Sequence, residues 1–470
     1  MKSVSSAFLY ACLFCGPVSA TRPNFVILIA DDLGYGETGM MGNDEIPTPA
    51  IDALAAAGIR CTSGYVTSSY CSPSRAGIMT GRYQSRFGGD QNPTGKRNLE
   101  PEAGLPESET TFVTRLQAAG YKTSLIGKWH LGTVESRQPT RRGFDQFFGF
   151  LHEGHYFVPG PPYNDVLTML RDTTLDPGQR VRQGDVIRGN YTPISEPKYD
   201  DDNPLLKSNE DGELETVDVD TYLTDAFSQQ AVDFIQRNTQ SPFCLVVAYN
   251  AVHSPMQALQ QDLLTLKRIK DDQRRIFAGM LLSLDRGVGR ITKALRDSGL
   301  TDDTMVVFLS DNGGPTAELT SSNAPLRDGK GSVYEGGLRV PMIWSYPSQF
   351  PQGRVERRAV LSLDVAATAL DLAGLTIPDS MDGRSVVDFL GNGMSDPLHD
   401  SVYWRMPRGK AAFRDGNWKI VRPKAGASFE LYHLTGDREE SRDLAAEHPD
   451  VLKRLINRWS AMESEMPPLR

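Results

Sequence analysis

The sequence predicts an α/β protein: a large mixed, mostly parallel sheet sandwiched by helices, with a small C-terminal α+β subdomain. Three observations carry this. Asn24 to Ala30 (NFVILIA), Phe243 to Tyr249 (FCLVVAY) and Met305 to Leu309 (MVVFL) are continuous apolar runs, the pattern of strands covered on both faces. Stretches of helical period alternate with them, as βα units require. From about Asp382 the texture changes to short runs separated by Gly, Asp and Pro, the mark of a small antiparallel sheet. The 470 residues are 39% hydrophobic and 23% charged, which supplies a core and excludes global disorder. A net charge of −9 gives no support to nucleic-acid binding.

Taken in order, Lys2, the apolar run Ala7 to Phe14 and Val18-Ser19-Ala20 read as a signal peptide over residues 1–20. No other stretch has the ~18 apolar residues of a membrane helix. A soluble periplasmic or secreted protein is expected. Thr48 caps a helix that opens at Pro49 and ends at Gly58. A strand is expected over Gly58 to Val66, then Cys71-Ser72-Pro73-Ser74-Arg75 and a helix to about Thr80, with Ser72 as its cap and Pro73 in its first turn. Thr110 to Ala119 reads as a helix and Tyr121 to Ile126 as a strand leading to Gly127-Lys128-Trp129-His130.

Residues 156–220, rich in Pro, Asp, Gly and Asn, read as a long surface excursion without sustained period. Tyr222 to Arg237 is an amphipathic helix, and Phe277 to Leu295 places its apolar residues on one core-facing stripe. Near the C-terminus, Val402 to Trp404, Ala411 to Arg414, Trp418 to Arg422 and Phe429 to His433 read as strands, before a last helix with Leu452, Leu455, Ile456 and Trp459 on one face. Without the leader the chain keeps Cys61, Cys71 and Cys244. An odd number in an exported protein leaves one thiol for something other than pairing; a Cys61–Cys244 bond is conceivable.

The polar residues gather behind the strands. Asp31-Asp32, Lys128 with His130, His253, and Asp311-Asn312 each follow a buried run. In open α/β sheets the ligand crevice lies beyond the carboxyl ends of the strands, so four strands deliver charged groups to one rim. Asp31, Asp32, Asp311 and Asn312 are oxygen donors that suit a hard cation such as Ca²⁺. Cys71 precedes a helix N-terminus, and Arg75 on its first turn reaches back towards it. That is the setting of an activated nucleophile, with a buried structural cysteine as the alternative.

Cys71-Ser72-Pro73-Ser74-Arg75, continued by Ala76 to Arg82, resembles the signature of the type I, formylglycine-dependent sulfatases of the alkaline phosphatase superfamily. The resemblance extends through Asp31-Asp32-Leu33-Gly34, Gly127-Lys128-Trp129-His130, Ser310-Asp311-Asn312-Gly313, Glu335 to Pro341 and Leu431-Tyr432-His433-Leu434. It implies an alkaline-phosphatase-like fold, with a catalytic domain over residues 21–381 and a subdomain over 382–470. It also implies that a maturation enzyme oxidises Cys71 to Cα-formylglycine. One hydroxyl of the hydrated aldehyde would attack sulfur, and the other would expel sulfate.

By the same resemblance one Ca²⁺ sits among Asp31, Asp32, Asp311, Asn312 and residue 71. Lys128 and Lys330 would hold sulfate oxygens, Arg75 with the cation would polarise the attacking hydroxyl, His253 and Lys330 would protonate the leaving alcohol, and His130 would orient or deprotonate the diol. His152 and His155 suggest a substrate subsite, and Arg142, with Arg137 and Arg141, a positive rim. The expected activity is an exported calcium-dependent sulfatase acting on sulfated carbohydrate, a polysaccharide or glycosaminoglycan-type oligosaccharide. The alternatives are a phosphatase or phosphodiesterase of the same superfamily and an inactive carbohydrate-binding relative.

Overall fold

The computed structural model describes residues 22–199 and 203–469. The expected signal peptide lies outside them. A ten-stranded sheet runs through the molecule in the order Leu214–Thr216, Leu206–Ser208, Gln146–Phe150, Lys122–Lys128, Phe243–Ala248, Asn24–Ala30, Thr304–Ser310, Met342–Ser345, Ile59–Cys61 and Arg354–Glu356. Its four central strands, Lys122–Lys128 to Thr304–Ser310, are all parallel. Both faces are covered, which is why those strands read as unbroken apolar runs. Side chains alternate between two cores: Val26, Leu28 and Ala30 enter one, Phe25, Ile27 and Ile29 the other. The helices Leu223–Arg237 and Asp272–Asp297 build the first core, and Cys71–Thr80, Phe112–Ala118 and Asp364–Leu372 the second.

Register levels the ends of the central strands. Ala30 pairs with Ser310, Ile29 with Ala248, and Ala248 with Gly127. The residues that follow therefore emerge on one edge.

Several elements differ from expectation. Gly58 to Val66 is not one strand. Ile59–Cys61 belongs to the large sheet, whereas Gly64–Tyr65 pairs with Val360–Leu361. The strand expected to stop at Ile126 continues through Lys128. The helix at the Cys-Ser-Pro-Ser-Arg motif starts at Cys71 itself. Tyr70 takes the cap position without a side-chain bond, and the Ser72 N–H donates to Asn92 Oδ1 at 3.0 Å. The 156–220 segment is not irregular throughout. Val166–Arg171, Arg180–Gln183 and Val186–Gly189 join Met256–Leu259 in a second sheet, and Leu206–Ser208 and Leu214–Thr216 extend the first. Its contribution to the first core is a handful of side chains, Phe157, Val166, Leu167, Met169 and Ile187, too few to set a period amid exposed polar strands. Cys61 and Cys244 are buried free thiols. Their strands stand four inter-strand steps apart, about 19 Å, beyond the reach of a disulfide.

Ser401–Met406, Lys410–Asp415, Trp418–Arg422 and Glu430–His433 form an antiparallel sheet in sequence order, and Leu455 and Trp459 of the helix Pro449–Ser464 pack on it. This sheet is tied to the large domain by buried polar groups. Trp404 Nε1 donates to the Val66 carbonyl at 2.7 Å. Lys419 Nζ, fully buried, lies 2.9 Å from Glu335 and 2.8 Å from Glu440. Burial, against the pull of Lys419, raises Glu440 to about 7. Burial acts on Glu335 too, but Lys419 and Arg339 outweigh it and hold that carboxyl at about 2.

Between the ordinary glutamate value and about 7, the folded protein keeps a Glu440 proton that the unfolded chain has released. That lowers stability as pH rises across the window. Glu440→Gln should therefore gain on the parent between about pH 5 and pH 7 in urea-unfolding midpoints. A difference that stays flat with pH would contradict this coupling.

Candidate active site

Each central strand ends in a group aimed at one buried cluster. Asp31 and Asp32 follow Ala30, Lys128 closes its own strand, and Asp311 and Asn312 follow Ser310. His253 follows Ala248 by a short turn. The helix Cys71–Thr80 points its N-terminus at them, so Cys71 sits where free N–H groups favour negative charge. Ligand-capable atoms of Asp31, Asp32, Cys71 and Asp311 all lie within 4.8 Å of one another, and so do those of Asp31, Cys71 and His253. Asp32 and His130 adopt positive φ, 64° and 56°, a conformation uncommon outside glycine and typical of constrained sites.

Three cations hold the three carboxylates. Lys128 Nζ is 2.6 Å from Asp31 Oδ2, and Lys330 Nζ is 2.7 Å from Asp32 Oδ2. Arg75 places Nε and Nη2 at 2.9 and 2.8 Å from Asp311 Oδ2, and its Nη1 donates to the Lys128 carbonyl at 3.0 Å. Burial and the nearby Asp311 carboxylate push Asp31 up to about 7. Burial acts on Asp32 as well, but Lys330 and His253 overcome it and bring that group to about 2. Burial raises the Cys71 thiol, so as a thiol it is a poor nucleophile here despite the helix terminus.

The histidines have assigned faces. A carbonyl only accepts, so His253 Nδ1 donates to Ser254 O at 2.6 Å and turns Nε2 to the cluster, 3.6 Å from Asp32 Oδ2. His130 Nε2 donates to Pro93 O at 2.8 Å, which leaves Nδ1 as the acceptor; that atom is buried without a hydrogen-bond partner among the described residues. Burial, then Lys128 for His130 and Lys330 for His253, pushes both imidazoles well below their ordinary range.

The donor set fits a hard divalent cation. Asn312 donates from Nδ2 to Asp32 Oδ1 at 2.6 Å, which fixes its amide orientation. Among the described residues Asn312 Oδ1 is then a buried acceptor with no partner, beside three carboxylates. An unpaired buried oxygen is costly unless something positive meets it.

The sulfatase family profile matches residues 23–375, and that of the N-sulphoglucosamine sulphohydrolase C-terminal region matches residues 328–465. The chain belongs to the sulfatase family. It is a sulfuric ester hydrolase. It is 29% identical to arylsulfatase J of Mus musculus over 97% of this chain and 78% of that protein. It is 32% identical to N-acetylgalactosamine-6-sulfatase of Homo sapiens over 84% of this chain and 74% of that one. The solved structure of Ps i-CgsB in complex with k-i-k-neocarrahexaose superposes with a TM-score of 0.82 at 30% identity, covering 95% of this chain and 94% of that chain.

Not every expected site residue of the sulfatase joins the cluster. His155 gives Nδ1 to Tyr156 O at 2.8 Å and lines a separate cavity of about 430 Å³ with residues 156–160 and 216–221. Burial lowers its proton affinity. His152 is buried, and its backbone N–H donates to Asn203 Oδ1 at 3.3 Å. Arg142 donates Nη2 to the Pro106 and Glu109 carbonyls. Arg137 donates to Ala103 O, and Arg141 pairs with Glu135 and Glu213. These arginines brace loops and do not join the cluster.

Other site-shaping residues had no readable signal. Ser321 Oγ accepts from Gly34 N and donates to Asp32 O. Arg171, in the 156–220 segment, reaches Glu318 at 2.5 Å, and Glu318 accepts from Ser254 Oγ at 3.0 Å, beside His253. These are single polar residues whose partners lie far along the chain.

Asp311 touches Arg75 and belongs to the oxygen-donor set that fits a divalent cation, so Asp311→Ala should abolish any stabilisation by Ca²⁺. Thermal unfolding of the parent should shift upward as Ca²⁺ is added, by the mass-action law for a ligand bound only when folded, and the variant should not respond. An equal upward shift in both proteins would disprove the assignment.

Proposed function

We propose that this sulfatase is an exported, calcium-dependent enzyme that hydrolyses sulfate esters on carbohydrates. The substrate is a polysaccharide or a glycosaminoglycan-type oligosaccharide. The observation that carries the reading is the convergence of Asp31, Asp32, Asp311, Lys128, Arg75, Lys330 and His253 around Cys71. Sulfated sugars as substrate class are supported by the relatives, among them N-acetylgalactosamine-6-sulfatase and the neocarrahexaose complex. A cavity of about 550 Å³ beside Lys330, walled by Tyr191, Thr192, Tyr334 and Lys410, has the size of a sugar-binding pocket.

Ca²⁺ would be held by Asp31, Asp32, Asp311 and Asn312 Oδ1, and when bound it supplies a fixed positive charge that favours ionised oxygen at position 71. Cys71, converted by a maturation enzyme to formylglycine, supplies a hydrated carbonyl whose two hydroxyls serve attack on sulfur and release of sulfate.

The chain's own residues do the rest. Lys128 and Lys330 present positive charge to the sulfate oxygens in a water-poor site, where it costs no reorganisation, and Arg75 polarises the attacking hydroxyl at position 71. Arg75 is locked by Asp311 and by the Lys128 carbonyl. His130 keeps a neutral ring with Nδ1 free to accept a proton. His253 directs Nε2 towards the reacting group while Ser254 O holds its other nitrogen. Its low proton affinity, set by burial and Lys330, makes the imidazolium a strong acid for the leaving oxygen.

Peptide mass spectrometry tests the reading. Residue 71 of active protein should carry an aldehyde, and defined sulfated oligosaccharides should release sulfate. An unmodified thiol in an active preparation would refute it. His253→Ala should lose about 10²–10⁴-fold on sugar sulfates and much less on nitrophenyl sulfate, whose leaving group needs no proton. Equal losses on both would remove His253 from that role.

A further inference from the structure

A second concentration of charge lies apart from the catalytic cluster. A cavity of about 710 Å³ opens between the edge of the large sheet and the C-terminal sheet, and it shares no lining residue with that cluster. Six arginines line it, Arg60, Arg339, Arg357, Arg358, Arg414 and Arg438, against one acid, Asp400. The chain as a whole carries 59 acids and 50 Lys and Arg, so this wall runs against the composition. No lysine contributes.

Like charges crowded into a low-dielectric cleft repel, so the arrangement costs stability unless something answers it. Two of the six are answered from behind: Glu335 lies 3.1 Å from Arg339, and Glu356 lies 2.6 Å from Arg358. Arg414 also feels Glu335, whose carboxyl it helps to lower, and among the described residues Arg60, Arg357 and Arg438 have no acid in an ion pair. Arg60 donates to the Met40 carbonyl. Arg414 donates to Tyr65 Oη at 2.7 Å and to the Gly416 carbonyl at 2.8 Å. Arg357 and Arg438 are exposed at the mouth. Guanidinium groups present paired N–H donors that match the oxygens of an oxyanion, and a cavity of this size holds a ligand of a few sugar rings.

We propose that this cleft is a second binding site, for the sulfate groups of a sulfated oligosaccharide. The choice of a sulfated sugar rests on the functional reading above; the anionic character of the ligand does not. Such a site holds a multiply sulfated chain on the enzyme between catalytic encounters and raises its effective concentration.

Titration calorimetry with a sulfated dextran oligosaccharide, and with its unsulfated parent, tests the site on the full chain. Arg357→Ala with Arg438→Ala removes two exposed charges without touching the core. The double variant should bind the sulfated probe about fivefold to tenfold more weakly, while its turnover of nitrophenyl sulfate stays unchanged. Arg357→Lys with Arg438→Lys should recover part of the loss. Unaltered binding in the alanine variant would overturn the proposal. So would equal binding of the unsulfated dextran, or a preference for phosphatidylserine vesicles. Failure of the parent to turn over nitrophenyl sulfate would strike the catalytic reading alone, because the binding contrast does not depend on turnover.

Discussion

Three buried carboxylates pressed together are the constraint around which the molecule is organised. Asp31, Asp32 and Asp311 cannot all be ionised in an apolar interior unless cations reach them. Lys128, Lys330 and Arg75 balance them one for one. A divalent cation among the same oxygens would leave the cluster with a net double positive charge. That is the charge of a site built for sulfate, and it explains why the cations are buried instead of lying on a solvated face.

The sheet makes the convergence possible. Parallel strands in matched register release their C-terminal residues on one edge, so Asp31 stands beside Asp311 because Ala30 pairs with Ser310. The loops beyond then pack closely. At Gly313 a Cβ would come within 1.8 Å of the Gly336 carbonyl, so only glycine lets the Asp311-Asn312 turn and the Lys330 loop approach this far. The positive φ at Asp32 and His130 belongs to the same crowding: the backbone bends to aim side chains inward, and the surrounding packing holds the strain.

Much of this was legible in the sequence, for a physical reason. Strands buried on both faces advertise themselves as unbroken apolar runs, and the polar groups after them mark the rim. Cys71, Arg75, Asp31, Asp32, Lys128, His130, His253, Asp311 and Asn312 all sit within a few residues of such a run or of a helix start, so local reading found them. Lys330 sits on a loop with no local signal and was reached only through the resemblance to a family. What stayed hidden depends on partners far along the chain. Arg142 looked like a free charge and is occupied by the carbonyls at 106 and 109. Val166–Arg171 buries one strand amid polar neighbours, too short a segment to set a period. The Ser72 cap followed a rule of helix starts, but Asn92 supplies that N–H with its partner instead.

Lys330 raises the question of what the C-terminal sheet does for the site. It is the one cation not delivered by a strand end or by the Cys71 helix, and its loop is held from both sides. On one side Lys330 N–H donates to the Gly314 carbonyl at 3.3 Å, next to the Asp311-Asn312 turn. On the other, Lys410 Nζ donates to the Gly331 carbonyl, Glu440 accepts the Glu335 N–H at 2.6 Å, and Arg327 donates to the Glu440 carbonyl at 2.9 Å. The buried Lys419 then links Glu335 to Glu440. Removing one member of such a network strands a buried charge, at about 3–5 kcal/mol. The small sheet is therefore part of the site's construction. It fixes the loop that brings the third cation to Asp32, and without it the charge balance over the carboxylates would not close.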